Sequence, residues 1–106
     1  MGTALFTVYK YGRAGKGSQA SALPSTDQIT SGKFTTSTTA ANLEDNTATD
    51  VTLAVGQVLG VILSEDGWVN FAGNTAASGI GHALPANIYR EFECNTAGLV
   101  SIIDDA

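Results

Sequence analysis

Nowhere in these 106 residues do the apolar side chains recur with the period of a helix. They alternate, or collect in short blocks closed by Gly, Asn, Asp or Pro, which is the pattern of strands. "TALFTVYKY" (3–11) is rich in β-branched and aromatic residues and predicts the first strand. "FTTSTTAANL" (34–43) predicts a polar edge strand, followed by the acidic turn "EDNTATD" (44–50). "VTLAV" (51–55) leads through a bend at Gly56 into "QVLGVILS" (57–64), whose near-continuous apolar run fits a central strand buried on both faces. Asp66-Gly67, between "VILSE" and "WVNFA", is the pair favoured by a type I′ hairpin, where both positions take positive φ. "IYREFEC" (88–94) alternates, with Ile88, Phe92 and Cys94 on one face and Tyr89, Glu91 and Glu93 on the other. A turn at 95–98 then leads into the last strand, "LVSII" (99–103). Six to eight short strands of this kind predict a single all-β domain spanning 1–106, a small antiparallel β-sandwich or jelly-roll-like barrel.

Two segments resist that reading. "GRAGKGSQASALPSTDQITSGK" (12–33) has no period, and its obvious apolar anchors are Leu23 and Ile29. "GNTAASGIGHALPAN" (73–87) reads as a second flexible loop ending in a turn at Pro85-Ala86-Asn87. The first coincides with an asymmetry of charge. Through Ala41 there are four bases, Lys10, Arg13, Lys16 and Lys33, against one acid; beyond it Arg90 stands against nine acids, for a net charge of −5. Residues 10–33 therefore read as an extended basic arm or loop that docks on a partner or a neighbouring subunit, since long structureless loops in compact domains are usually functional or disordered. Glu44 and Asp45 are the candidate receivers for that arm on another copy, and Trp68 is a candidate interface anchor. The acidic balance argues against sequence-specific nucleic-acid binding. No apolar stretch approaches the roughly twenty residues of a membrane span, and "MGTALFTVYKYG" does not read as a secretory leader.

"YKYGRAGKGSQ" (9–19) suggests a phosphate loop, but Lys16 is followed by Gly17 rather than Ser or Thr, and Lys10 stands where the first glycine belongs. His82 is the sole histidine, in "GIGHALP", and one histidine specifies no triad. Cys94 is the sole cysteine, so an intrachain disulfide is excluded, and it reads as a small core residue. Glu44, Asp45 and Asp50 lack the ligand order of a calcium loop and read as a solvated turn. Glu91 and Glu93 form an outward polar stripe with Tyr89, rather than the carboxyl pair of a glycosidase cleft. The expectation is a protein without catalytic residues, cofactor or metal.

"GWVNFAGN…ASG…HALPANIYREFECNTAGLVSIID" (67–104) resembles a group of small β-sandwich proteins of tailed-bacteriophage virions. The matching pieces are Val69-Asn70-Phe71, Leu84-Pro85-Ala86 and Leu99 to Ile103. The resemblance implies a virion structural protein assembled in the host cytoplasm, of the head decoration or cement type. Its implied partners are the major capsid protein, or another virion protein, and copies of itself, for instance in a trimer. Within the same particle it is also compatible with a head–tail connector or tail component. From another class, a small carbohydrate-binding module would use Trp68, Tyr89 and the 73–87 loop.

Overall fold

A computed structural model describes the backbone of residues 2–13 and 20–105 and the side chains of residues 2–10 and 28–105. The described residues form ten strands and no helix. In chain order they are β1 (Gly2–Arg13), β2 (Ala20–Thr36), β3 (Ala41–Asn42), β4 (Thr52–Leu53), β5 (Val58–Leu63), β6 (Gly67–Asn70), β7 (His82–Leu84), β8 (Arg90–Glu93), β9 (Gly98–Leu99) and β10 (Ser101–Asp104). One sheet has the order β2-β1-β5-β8, a second β3-β10-β6-β7, and β4 pairs with β9. All pairings are antiparallel, so the all-β class read from the sequence is the class observed.

The period-2 alternation of β1 and β5 builds the core. Ala4, Phe6 and Val8 face the same side as their partners Leu63, Val61 and Leu59, and all six are buried. Val69 and Ile102 in the second sheet, with Leu84 of β7 and Leu43, Leu53 and Val100 around them, complete one apolar cluster shared by both sheets. As expected, the central apolar strand is β5, between β1 and β8. Cys94 is buried in the same cluster.

The supposed hairpin at Asp66-Gly67 is not one. β5 belongs to the first sheet and β6 to the second, so residues 64–66 carry the chain from sheet to sheet. Neither Asp66 nor Gly67 has positive φ. Gly67 is required for a different reason: a Cβ there would lie 2.5 Å from the Ile103 carbonyl oxygen and 2.7 Å from Leu63 Cδ1. Asp66 has its own task, accepting hydrogen bonds from Ala86 N through Oδ1 and from Asp105 N through its carbonyl, both at 2.8 Å. The Asp-Gly pair thus meets two needs of a crossover that short-range turn preferences do not register.

Residues 20–33, read as part of an unstructured arm, are strand. β2 faces the core with Thr36, Phe34, Gly32 and Thr30, opposite Gly2, Ala4, Phe6 and Val8. Three of its four inward side chains are Thr or Gly, so the apolar alternation that announces a strand is missing. Main-chain pairing to β1 and the Phe6 ring close over Gly32 do the holding instead. From Val8↔Thr30 to Arg13↔Ala20, β1 advances five residues while β2 advances ten, through three register shifts. Pro24, opposite Tyr11, sits where an edge strand tolerates a missing N–H. "FTTSTTAANL" is consequently divided: its start closes β2, and only Ala41–Asn42 forms the separate edge strand β3. Likewise 73–87 holds β7 and a bridge between Ala77 and Ile80, although its closing turn at Pro85–Asn87 is as expected, with Asn87 at φ 63°. Ile88 precedes β8 and is half-exposed, whereas Phe92 and Cys94 do turn inward.

A buried carboxylate ties the two sheets at one edge. Asp104 of β10 accepts a 2.6 Å hydrogen bond from the Thr36 hydroxyl and a 3.0 Å bond from the Gly2 amide. Two substitutions separate close packing from backbone strain. Gly67→Ala introduces an overlap at ordinary φ and is expected to cost about 1–3 kcal/mol. Gly73→Ala has open space but φ 77°, and is expected to cost about 1–2 kcal/mol from left-handed strain alone. Denaturant unfolding of both variants checks this, and crystal structures should show Ile103 displaced only in Gly67→Ala.

Candidate interaction surfaces

β1 pairs with β5 only from Ala4 to Tyr9, whereas its pairing with β2 runs on to Arg13↔Ala20. Beyond Tyr9 the hairpin is thus a two-stranded ribbon with no third strand among the described residues. The molecule measures 47 × 24 × 23 Å, about twice as long as it is wide. Lys10 is exposed where the ribbon leaves the sheet. Lys33 is also exposed, but it lies opposite Leu5, within the part of the hairpin that β5 supports. The Arg13 side chain and all of Lys16 lie outside the described residues. Of the predicted basic residues the structure describes the side chains of Lys10 and Lys33, both exposed and on the two strands of one hairpin.

The acidic turn closes on itself. Asp45 Oδ1 accepts hydrogen bonds from Thr47 N at 2.8 Å, Thr47 Oγ1 at 2.7 Å and Thr49 N at 3.1 Å. These bonds, led by the Thr47 hydroxyl, hold the carboxyl below its usual pKa of 3.8. Next to it Asn46 Oδ1 accepts from the Lys33 amide at 3.1 Å, so this turn meets the basic segment of its own chain through main-chain chemistry. Glu44 is half-buried and bridges to Asp50. Among the described residues, no three His, Cys, Asp or Glu side chains gather as metal ligands, and no helix is long and apolar enough to cross a membrane.

Trp68 is half-buried in the second sheet, paired with Ile103 and Ala83. It borders a shallow cleft of about 220 Å³ with Pro85 and Asp105. Tyr89 belongs to the first sheet's outer face, where its ring occupies the space over Gly60. Its hydroxyl lies 3.1 Å from that of Tyr9, and the reduced solvation there raises its pKa above 10.0. The pair Trp68 and Tyr89, joined in the carbohydrate-module reading, is thus divided between two sheets.

Two surfaces were not singled out in the sequence. On the outer face of the first sheet, Leu5 is 50% exposed and stands opposite both Ile62 and Lys33. With Thr3 and Asn87 they line a depression of about 310 Å³. The signal was present, because adjacent apolar residues at 4–6 and 61–63 put apolar groups on both faces of their strands. The other surface lies where edge strands β7 and β8 approach: the rings of Phe71, His82 and Phe92 meet there with centroids 5.1–5.6 Å apart. Residues 71, 82 and 92 share no period, so that cluster exists only through the fold. His82, placed in a loop by the sequence reading, is exposed on β7.

No known protein family matches the chain, and comparison with curated proteins and with solved structures likewise finds no match.

The Asp45 turn gives a pH test with a defined sign. A carboxyl with a lowered folded-state pKa adds stability that is present above about pH 3.8 and lost as the pH falls through the lower folded value. Asp45→Ala should therefore melt below the wild type at neutral pH, with the gap closing as the solution is acidified past that range. Thermal melts of both proteins between neutral pH and strong acid check this. A gap that does not change with pH would show that the carboxylate charge is not what holds the turn.

Proposed function

We propose that this chain is a non-enzymatic structural protein of a phage virion, a capsid decoration or cement protein. It binds the major capsid lattice through the β1–β2 ribbon and associates with copies of itself. The observation that carries the reading is the ribbon: β1 and β2 continue past Tyr9 after β5 has ended, leaving strand edges able to accept another chain's backbone. Lys10 stands at its base, and the sequence continues it with Arg13 and Lys16. Positive charge along such an edge selects an acidic partner and fixes register more than it adds affinity. The resemblance carried by Val69-Asn70-Phe71, Leu84-Pro85-Ala86 and Leu99 to Ile103 supports the particle in which this occurs. In the fold Val69 and Asn70 fall on β6 with Phe71 just after it, Leu84 ends β7 with Pro85 and Ala86 in the following turn, and 99–103 runs from β9 into β10.

The depression around Leu5 and Ile62 supports contact between copies. Half-exposed aliphatic side chains beside a lysine form a small apolar patch with a polar rim, the anatomy of a subunit interface.

Electron microscopy of the purified chain mixed with shells of candidate major capsid proteins tests this directly. Regular density on the capsid's outer face is the expected result. A ring at a single vertex would assign the chain to the connector instead, and bare shells throughout would end the proposal. The combined variant K10Q/R13Q/K16Q should bind those shells at least about tenfold more weakly, with folding stability changed by no more than about 0.5 kcal/mol. Undiminished binding by that variant would remove the ribbon from the interface.

A further inference from the structure

The cleft between β7 and β8 has a construction of its own, remote in the chain from the ribbon. Its floor is three rings from three elements: Phe71 just after β6, His82 on β7 and Phe92 on β8. Their planes are tilted by 50–59° to one another. Phe71 and Phe92 pack against the core cluster, so the floor is fixed from beneath. The Arg90 guanidinium lies 5.5 Å from the Phe92 centroid and donates to the Ala83 carbonyl at 3.3 Å, tying β8 to β7 at the cleft's side. Two amides set the backbone that carries Phe71. Asn70 Oδ1 accepts from the Phe71 amide, and Asn74 Nδ2 donates to the Phe71 carbonyl, both at 2.9 Å. Exposed Glu93, Asn95 and Thr96 are also among the residues that line it.

The enclosed volume is about 340 Å³, near the lower end of the range of small-molecule sites. Its chemistry selects among ligands. No lysine or arginine is among the residues that line it, and Arg90 at its side is already engaged by the Phe92 ring and the Ala83 carbonyl, which disfavours a phosphate or other anion. Amide and hydroxyl groups make up most of the remaining rim, which disfavours a purely apolar ligand. A saccharide presents what this lining complements: a C–H face to lie on aromatic rings, edged by hydroxyls that both donate and accept. The exposed Asn95 amide and the Thr96 hydroxyl can each act in both senses. We infer that this cleft is a saccharide-binding site for one or two sugar units, stacked on the exposed His82 ring and hydrogen-bonded by Asn95 and Thr96. The inference is independent of the capsid reading, and it uses neither Trp68 nor Tyr89.

The test is a nitrogen-15 NMR titration of the full chain with glucose, galactose, N-acetylglucosamine and their trisaccharides, after a glycan array has ranked wider choices. Expected are saturable shifts confined to the amides of residues 70–74, 82 and 93–96, with Kd of about 0.1–1 mM for the best sugar. His82→Ala should weaken that binding by about fivefold or more, and His82→Phe, which keeps a ring, should retain it. Asn95→Ala, on an exposed turn, supplies a second arm that does not depend on how the His82 variants fold, and should weaken binding severalfold. The inference is overturned if no array glycan is retained and no probe shifts these amides at about 10 mM. It is equally overturned if shifts map to Trp68 and Pro85, or if His82→Ala and Asn95→Ala bind like the wild type.

Discussion

The antiparallel ladder between Ala4–Tyr9 and Val58–Leu63 is the constraint on which the other features depend. Its inner row, Ala4, Phe6, Val8, Leu59, Val61 and Leu63, forms the first sheet's whole central contribution to the core. A slip of one residue would send Leu5, Thr7 and Tyr9 inward and expose Phe6 and Val8, so the register is held by burial. Once it is fixed, β2 and β8 have only the two outer edges left to occupy. That assignment puts Lys33 beside Leu5 on one side and Tyr89 over Gly60 on the other. It also sets where the ribbon begins, because β5 cannot follow β1 past Tyr9.

The second sheet is joined to this ladder by contacts that leave little freedom. Asp104 reaches the first residue of β1 and the last of β2 from β10, so a single carboxylate fixes both ends of the long hairpin against the other sheet. A buried carboxylate is tolerable only when its oxygens are bonded, and here each accepts one bond. At the opposite edge the closure is aromatic, with Arg90 and the three rings spanning β7 and β8. One edge is therefore closed by a local polar lock. The other is closed by side chains that leave a recess between them, and this difference places the cleft at the second edge.

What could be read from the sequence follows from which of these forces leaves a period. β1, β5 and β8 were legible because one or both of their faces are apolar, and the alternation or continuous run records it. β2 was not, since Thr36, Gly32 and Thr30 face inward and the strand is held by main-chain bonds and by Phe6, neither of which appears in its own residues. Asp66-Gly67 misled for a related reason. The pair is a good local signal for a tight turn, but here it serves the close approach of Ile103 and the caps on Ala86 and Asp105, contacts 20 to 39 positions away. Of the candidate interaction residues, Lys10 and Lys33 are placed on the hairpin as exposed side chains, while Asp45 proves to be occupied by its own turn. The aromatic floor at 71, 82 and 92 could not be read at all, being assembled from three elements in register only after both sheets exist.

The paired state of the hairpin changes the energetic argument for an arm of this kind. A structureless arm must lose backbone freedom on docking, at about 1–2 kcal/mol per residue, and a contact of modest area struggles to offset that. Residues 20–36 are already ordered as strand against β1, so along this stretch the loss is taken during folding rather than during association. The register shifts after Val8 add bend and twist to the ribbon. They disfavour flat edge-to-edge stacking of identical ribbons, while leaving the edge open to a partner shaped to that curvature. Preorganisation of this kind lets a short strand edge and a few basic side chains suffice for a specific grip. On the proposed role, a domain with only 14% charged residues would need its charge only to choose the partner, the shape being set in advance.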